Sequence, residues 1–80
     1  MMIKIRYFAA LVDKLGMASE EMALPENIDD VRGLVSLFQH RGGVWETVFG
    51  NVSLQITVNK QFSDLATPIK NGDEIAFISA

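Results

Sequence analysis

Residues 2–8 alternate in polarity. Ile3, Ile5 and Tyr7 fall on one face, and Met2, Lys4, Arg6 and Phe8 on the other. A two-residue period predicts a half-buried strand, with Phe8 anomalous as an aromatic on the polar face. Residues 9–15 (AALVDKL) are good helix formers that stop at Gly16, a natural residue to follow a helix end. Residues 20–24 (EEMAL) read as a weak second strand closed by Pro25. The clearest helix is expected to start near Asn27 as N-cap, with Asp29 and Asp30 in its first turn. Val31, Leu34, Val35 and Phe38 form its apolar stripe at i, i+3, i+4 and i+7. Arg41 is expected in its last turn, before Gly42-Gly43 ends it. Gly33 inside the helix costs up to about 1 kcal/mol against Ala, and a close approach to a sheet would explain it.

Residues 45–49 (WETVF) predict a short helical turn or loop whose aromatics plug one edge of a core. Val52, Leu54, Ile56 and Val58 alternate with polar residues as a strand. Asn59-Lys60-Gln61 reads as a turn into Phe62, Thr67-Pro68 as a stiff connection and Asn71-Gly72 as a turn. Residues 73–78 (DEIAFI) make the last strand. No linker or repeat divides the chain, so residues 1–80 are expected to form one domain. The order of elements argues for an α+β fold, a sheet with one main helix packed across it.

Composition narrows the function. Hydrophobic residues are 49% of an 80-residue chain, more than so small a body hides completely, so an exposed apolar patch for a partner is expected. The net charge of −3, with 7 Lys+Arg against 10 Asp+Glu, gives no basic face for nucleic acid. No apolar run reaches the ~18 residues of a membrane span, and Lys4 and Arg6 interrupt any signal-peptide core. The lack of cysteine removes disulfides, thiolate metal sites and a thiol nucleophile, and fits a reducing cytoplasm.

The catalytic census is empty. His40 is the only histidine, which excludes a two-histidine metal site and fits a helix end better than a base. Asp29-Asp30 and Glu20-Glu21 read as helix-start and solvated-strand residues rather than paired catalytic carboxylates. Gly42-Gly43 lacks the lysine and hydroxyl of a phosphate loop. Trp45 reads as a core plug rather than a stacking platform. No enzyme acting alone emerges.

The opening IKIRYFAALVDKLG, the helix after Asn27, the segment 57–61 (TVNKQ) and the closing TPIKNGDEIAFI occur together in one order and spacing. In these the chain resembles the small subunit of molybdopterin synthase (MoaD type), a ubiquitin-like β-grasp sulfur carrier. Asn59 with Pro68 and Gly72-Asp73-Glu74 is shared with the thiamine-pathway carrier of the same fold. The YFA-type opening favours the molybdopterin branch. The resemblance implies a mixed sheet of four to five strands and a non-catalytic subunit that supplies sulfur as a C-terminal thiocarboxylate for conversion of precursor Z to molybdopterin. It implies two partners, a large catalytic subunit (MoaE-like) and a ubiquitin-activating-like adenylating enzyme (MoeB-like). ATP is used by the activating partner, and no cofactor or metal is expected on this chain. Phe8, Phe62 and Ile78 match partner-contact positions, with Ile78 where the family often has an aromatic. The competing assignment for all three is the core.

Such carriers finish in Gly-Gly, thin enough for a narrow pocket. This chain ends Phe77-Ile78-Ser79-Ala80, about where the resemblance places the start of the tail. About four further residues ending in Gly-Gly, ~13 Å of extended chain, are expected beyond Ala80. None of the 80 residues is therefore assigned as the thiocarboxylate site. A chain stopping at Ala80 is expected to fold and dock but not to carry sulfur. The alternatives are a thiamine-type or other sulfur carrier, or a tail-less β-grasp partner-binding module.

Overall fold

The computed structural model describes residues 1–50 and 54–79. In chain order its elements are β1 (Met2–Phe8), α1 (Ala10–Leu15), β2 (Ser19–Ala23), α2 (Val31–Gln39), α3 (Val44–Phe49), β3 (Gln55–Val58), β4 (Gln61–Ser63) and β5 (Glu74–Ile78). The strands form one mixed sheet in the order β2-β1-β5-β3-β4. The central pair β1 and β5 is parallel, and the other pairs are antiparallel. This is the expected α+β architecture, with five strands.

Alternation decides which face is covered. Ile3, Ile5 and Tyr7 of β1, Ile56 and Val58 of β3, and Ile75 and Phe77 of β5 are buried on the helix side. They meet Val31, Leu34 and Phe38 of α2, Leu11 and Leu15 of α1, and Val48 and Phe49 of α3. Tyr7, Phe38, Trp45, Phe49 and Phe77 pack as one aromatic cluster with centroid separations of 5.0–6.4 Å. The plug expected at residues 45–49 is thus real, and helical.

The main helix starts three residues later than its sequence signals propose. Asp30, not Asn27, is the N-cap: its backbone is extended and its Oδ1 accepts the Gly33 N–H at 2.8 Å. The free amides of Val31 and Arg32 donate to the carbonyls of Thr67 and Leu65 in the connection to β5. Residues 25–28 instead make their own turn, with Ile28 N–H donating to Pro25 O. Gly33 is crowded by Ile28, whose Cγ2 lies 2.9 Å from where a Cβ would sit, rather than by the sheet. Arg41 is also displaced from its expected place, because the helix ends at Gln39 with His40 as C-cap.

Arg41 crosses to the sheet edge instead. Its two terminal nitrogens donate to the two carboxylate oxygens of Glu20 at 3.0 and 2.8 Å, and the Tyr7 hydroxyl donates to the same carboxylate at 2.8 Å. The guanidinium carbon lies 4.3 Å from the Trp45 ring centroid and 4.6 Å from that of Phe38. Hydrogen bonds from Arg41 hold the Glu20 carboxyl below its ordinary range, against the opposing effect of burial. Burial, then the bond to Glu20, pushes the Tyr7 hydroxyl far above its own. β2 runs one residue earlier than proposed. Leu54 lies just ahead of β3, and the expected start of that strand at Val52 lies outside the described residues.

Candidate functional site

Among the described residues, no helix covers the other face of the sheet. Met2, Lys4, Arg6 and Phe8 of β1 point to it, because the covered face takes the alternate residues. The register carries the same face across the strands. Phe8 is paired with Ile78, which is paired with Gln55. One row away run Arg6, Ala76, Thr57 and Phe62. Phe8 and Ile78 are therefore neighbours, whereas Phe62 lies on the far edge strand. At ~4.8 Å between strands and ~6.8 Å between rows, Phe8 and Phe62 sit roughly 16 Å apart. They bracket the face rather than touch.

Exposure decides between core and surface for the two aromatics. Phe8 is 41% and Phe62 79% exposed, so neither is a core residue. Ile78 is half-buried. Phe8 stood out in the sequence through its wrong-face position, whereas Phe62 and Ile78 were singled out by the family resemblance alone. Sequence reasoning missed Met2, 50% exposed on the same face at its opposite end. It also missed two ion pairs there: Lys4 Nζ to Glu21 Oε1 at 3.9 Å, and Arg6 Nε to Glu74 Oε1 at 3.6 Å. Both are solvated and contribute little to stability, but each neutralises a cation beside the apolar residues.

Two turns hold the aromatics. Phe62 follows a two-residue hairpin, Asn59-Lys60, with φ of 53° and 69° at its central residues. Positive φ at both positions is the primed turn that suits the strand twist. Asn59 ties this hairpin to the start of β5: its Nδ2 donates to Asp73 Oδ1 at 2.9 Å, and its Oδ1 accepts the Glu74 N–H at 3.0 Å. The Asn59 and Asp73-Glu74 motif is thus a structural clasp between β3–β4 and β5. At the other end Phe8 is followed by Ala9, with φ 58° and ψ −134°.

The candidate catalytic residues of the sequence do not converge on this face among the described residues. His40 is the C-cap of α2, its Nδ1 2.7 Å from the Ser36 carbonyl oxygen. Glu20 and Glu21 point to opposite faces, toward Arg41 and Lys4 respectively. Asp30 is occupied as a cap. No cluster of three metal-ligating side chains occurs among the described residues. Likewise, no helix among them is long and apolar enough to cross a membrane.

The ThiS family model matches residues 5–80. The chain belongs to the ThiS family. Among solved structures it is similar to the putative molybdopterin converting factor, subunit 1, from Pyrococcus furiosus: 25% identity, TM-score 0.80, covering 98% of this chain and 95% of that one. It is also similar to a chain of the protein–protein complex of subunits 1 and 2 of molybdopterin-converting factor from Helicobacter pylori, at 22% identity and TM-score 0.71, over 100% of this chain and 95% of that one. Haloferax volcanii small archaeal modifier protein 1 shares the fold at 17% identity and TM-score 0.77, over 96% and 94% of the two chains. No curated protein gives a significant match. With these neighbours the sheet of this ThiS-family chain is a ubiquitin-like β-grasp.

Proposed function

We propose that this chain is the sulfur-carrying small subunit of a molybdopterin-synthase-type complex, without catalytic activity of its own. One observation carries the reading. β5, an interior strand of the sheet, ends at Ile78 directly beside exposed Phe8, so whatever follows leaves the fold at the edge of the open aromatic face. A partner seated on Phe8, Phe62 and Ile78 receives the C-terminal segment in its own pocket. Apolar anchors amid neutralised charges bind without reacting, and the reacting groups then belong to the partners. The Pyrococcus and Helicobacter likenesses support the molybdopterin branch over the thiamine-type carrier.

In this reading the two partners are the large catalytic subunit and a ubiquitin-activating-like adenylating enzyme, which holds the ATP. The terminal carboxylate of a Gly-Gly tail beyond Ala80 displaces pyrophosphate from ATP. A sulfide donor then displaces AMP and leaves the thiocarboxylate, which delivers its sulfur inside the large subunit.

The test is the intact mass of the product of the complete gene, before and after incubation with ATP, the adenylating enzyme and a sulfide donor. The expected result is a mass gain equal to sulfur replacing one oxygen, mapped to the terminal peptide. No gain refutes sulfur carriage. Rescue of thiazole synthesis but not of molybdoenzyme activity, in strains lacking each carrier, refutes the molybdopterin branch.

A further inference from the structure

β2 and β4 are the two edges of the sheet. β4 has three residues, whereas β2 has five, about 17 Å of strand. The phase of the β1–β2 ladder decides which backbone groups of β2 are spare. Tyr7 N–H donates to Ala18 O at one end of the ladder, and Leu24 N–H donates to Met1 O at the other. With Ile5 opposite Glu20 and Ile3 opposite Met22, the even-numbered residues turn their backbone toward β1. Ser19, Glu21 and Ala23 turn N–H and C=O the other way. All three are exposed, and these groups have no protein partner among the described residues.

Such an edge is a template for one more strand, and folds commonly blunt it with a proline, a bulge or an inward-pointing charge. Pro25 lies beyond the end of β2 and leaves its outward groups free. The inward-pointing charge is Glu20, and it is compensated: Arg41 bonds both of its carboxylate oxygens, and the Tyr7 hydroxyl adds a third bond. A second copy of the chain does not suit the edge. Antiparallel pairing of two β2 strands with full overlap sets Glu21 against its own counterpart, and like charges directly opposite repel. A cation does suit it. The open-face row at this level runs Glu74, Lys4, Glu21 across β5, β1 and β2, alternating in sign. A cation in the next position outward continues that alternation. On the helix side, the neighbouring residue of β2 is Met22, half-buried and packed against the core, so a side chain beside it meets apolar surface.

We propose that the β2 edge is an interaction site, which takes an extended peptide segment of a partner as an added strand, with lysine or arginine opposite Glu21 and an apolar residue beside Met22. Backbone bonds to Ser19, Glu21 and Ala23 hold the segment, and the two side-chain positions select it. The site lies at the opposite edge of the sheet from Phe62 and does not depend on the docking reading above.

The probe is a capped peptide, Val-Thr-Val-Lys-Val-Thr-Val, titrated into the isotope-labelled complete chain and followed through the backbone amide resonances. Its counterpart carries glutamate at the centre. The amide signals of Ser19, Glu21 and Ala23 should shift to saturation and gain protection from exchange, while that of Phe62 stays in place. The lysine peptide should bind about three- to ten-fold tighter than the glutamate peptide, the size of one exposed ion pair set against one repulsion. Glu21→Lys keeps every backbone group and should invert that preference. Ala23→Pro removes an outward N–H that the sheet does not use, and should abolish binding with the β1–β2 signals retained. Equal binding of the two peptides, or an unchanged preference in Glu21→Lys, overturns the stated partner. No saturable shift in β2, or full binding by Ala23→Pro, overturns the site. Shifts in β2 that follow protein concentration without peptide make a second copy the occupant and overturn the proposal as well.

Discussion

Phe62→Ala separates a docking residue from a core residue by magnitude. A fully buried Phe is worth about 1.5–3 kcal/mol of transfer free energy. Phe62 is 79% exposed, so only about a fifth of that, roughly 0.3–0.6 kcal/mol, is at stake in folding. Phe38, fully buried in the aromatic cluster, should cost about 3–5 kcal/mol on the same truncation. Binding reverses the order. An aromatic offers about 150–250 Å², and at this exposure roughly 120–200 Å² of Phe62 is available to a partner. At ~25 cal/mol per Å² that is about 3–5 kcal/mol gross. After ordering and imperfect packing, about 1–3 kcal/mol remains, a weakening of roughly 5- to 150-fold. The assay pairs urea unfolding with titration of the large synthase subunit. A fall in stability comparable to that of Phe38→Ala, or an unchanged Kd, refutes the reasoning.

Three further outcomes follow from the packing. The Glu20 carboxyl is held below its ordinary range in the fold, so its pairing with Arg41 and Tyr7 contributes stability above the unfolded carboxylate pKa of about 4.3. That contribution is lost as pH falls through the lower folded value. Tm measured from neutral to strongly acidic pH should therefore drop more for the unaltered chain than for Glu20→Gln. Gly33→Ala should destabilise despite a propensity gain of about 1 kcal/mol, because its Cβ would meet Ile28 Cγ2 at 2.9 Å. Combined with Ile28→Ala, the same change should become stabilising relative to Ile28→Ala alone, as read by urea unfolding. Asn59→Ala removes both side-chain bonds to Asp73 and Glu74 and places alanine at φ 53°, which should cost about 2–3 kcal/mol. Amide exchange should rise first in β4.

The chain's local periods determined the elements. The two-residue repeat of β1 placed Ile3, Ile5 and Tyr7 inside, and the 3.6-residue stripe of α2 placed Val31, Leu34 and Phe38 against them. Both signals survive because burial acts on faces, and a face is readable from spacing alone. Phe8 was legible for the same reason, as an apolar ring on the side the pattern assigns to water. Contacts between distant segments decided the rest. α2 starts at Val31 because carbonyls of Leu65 and Thr67, more than thirty residues away, meet its first amides. Asn27 carries an equally good cap side chain, but the chain there turns through Pro25 and Ile28. Glu20 and Glu21 look alike in sequence, yet Arg41 claims one across the core edge and Lys4 the other across the open face. Asn59 reads locally as a turn residue, and only its bonds to Asp73 and Glu74 reveal a clasp. A local pattern fixes which way a side chain points. Which partner waits there depends on the sheet order, because the central neighbours β1 and β5 come from opposite ends of the chain.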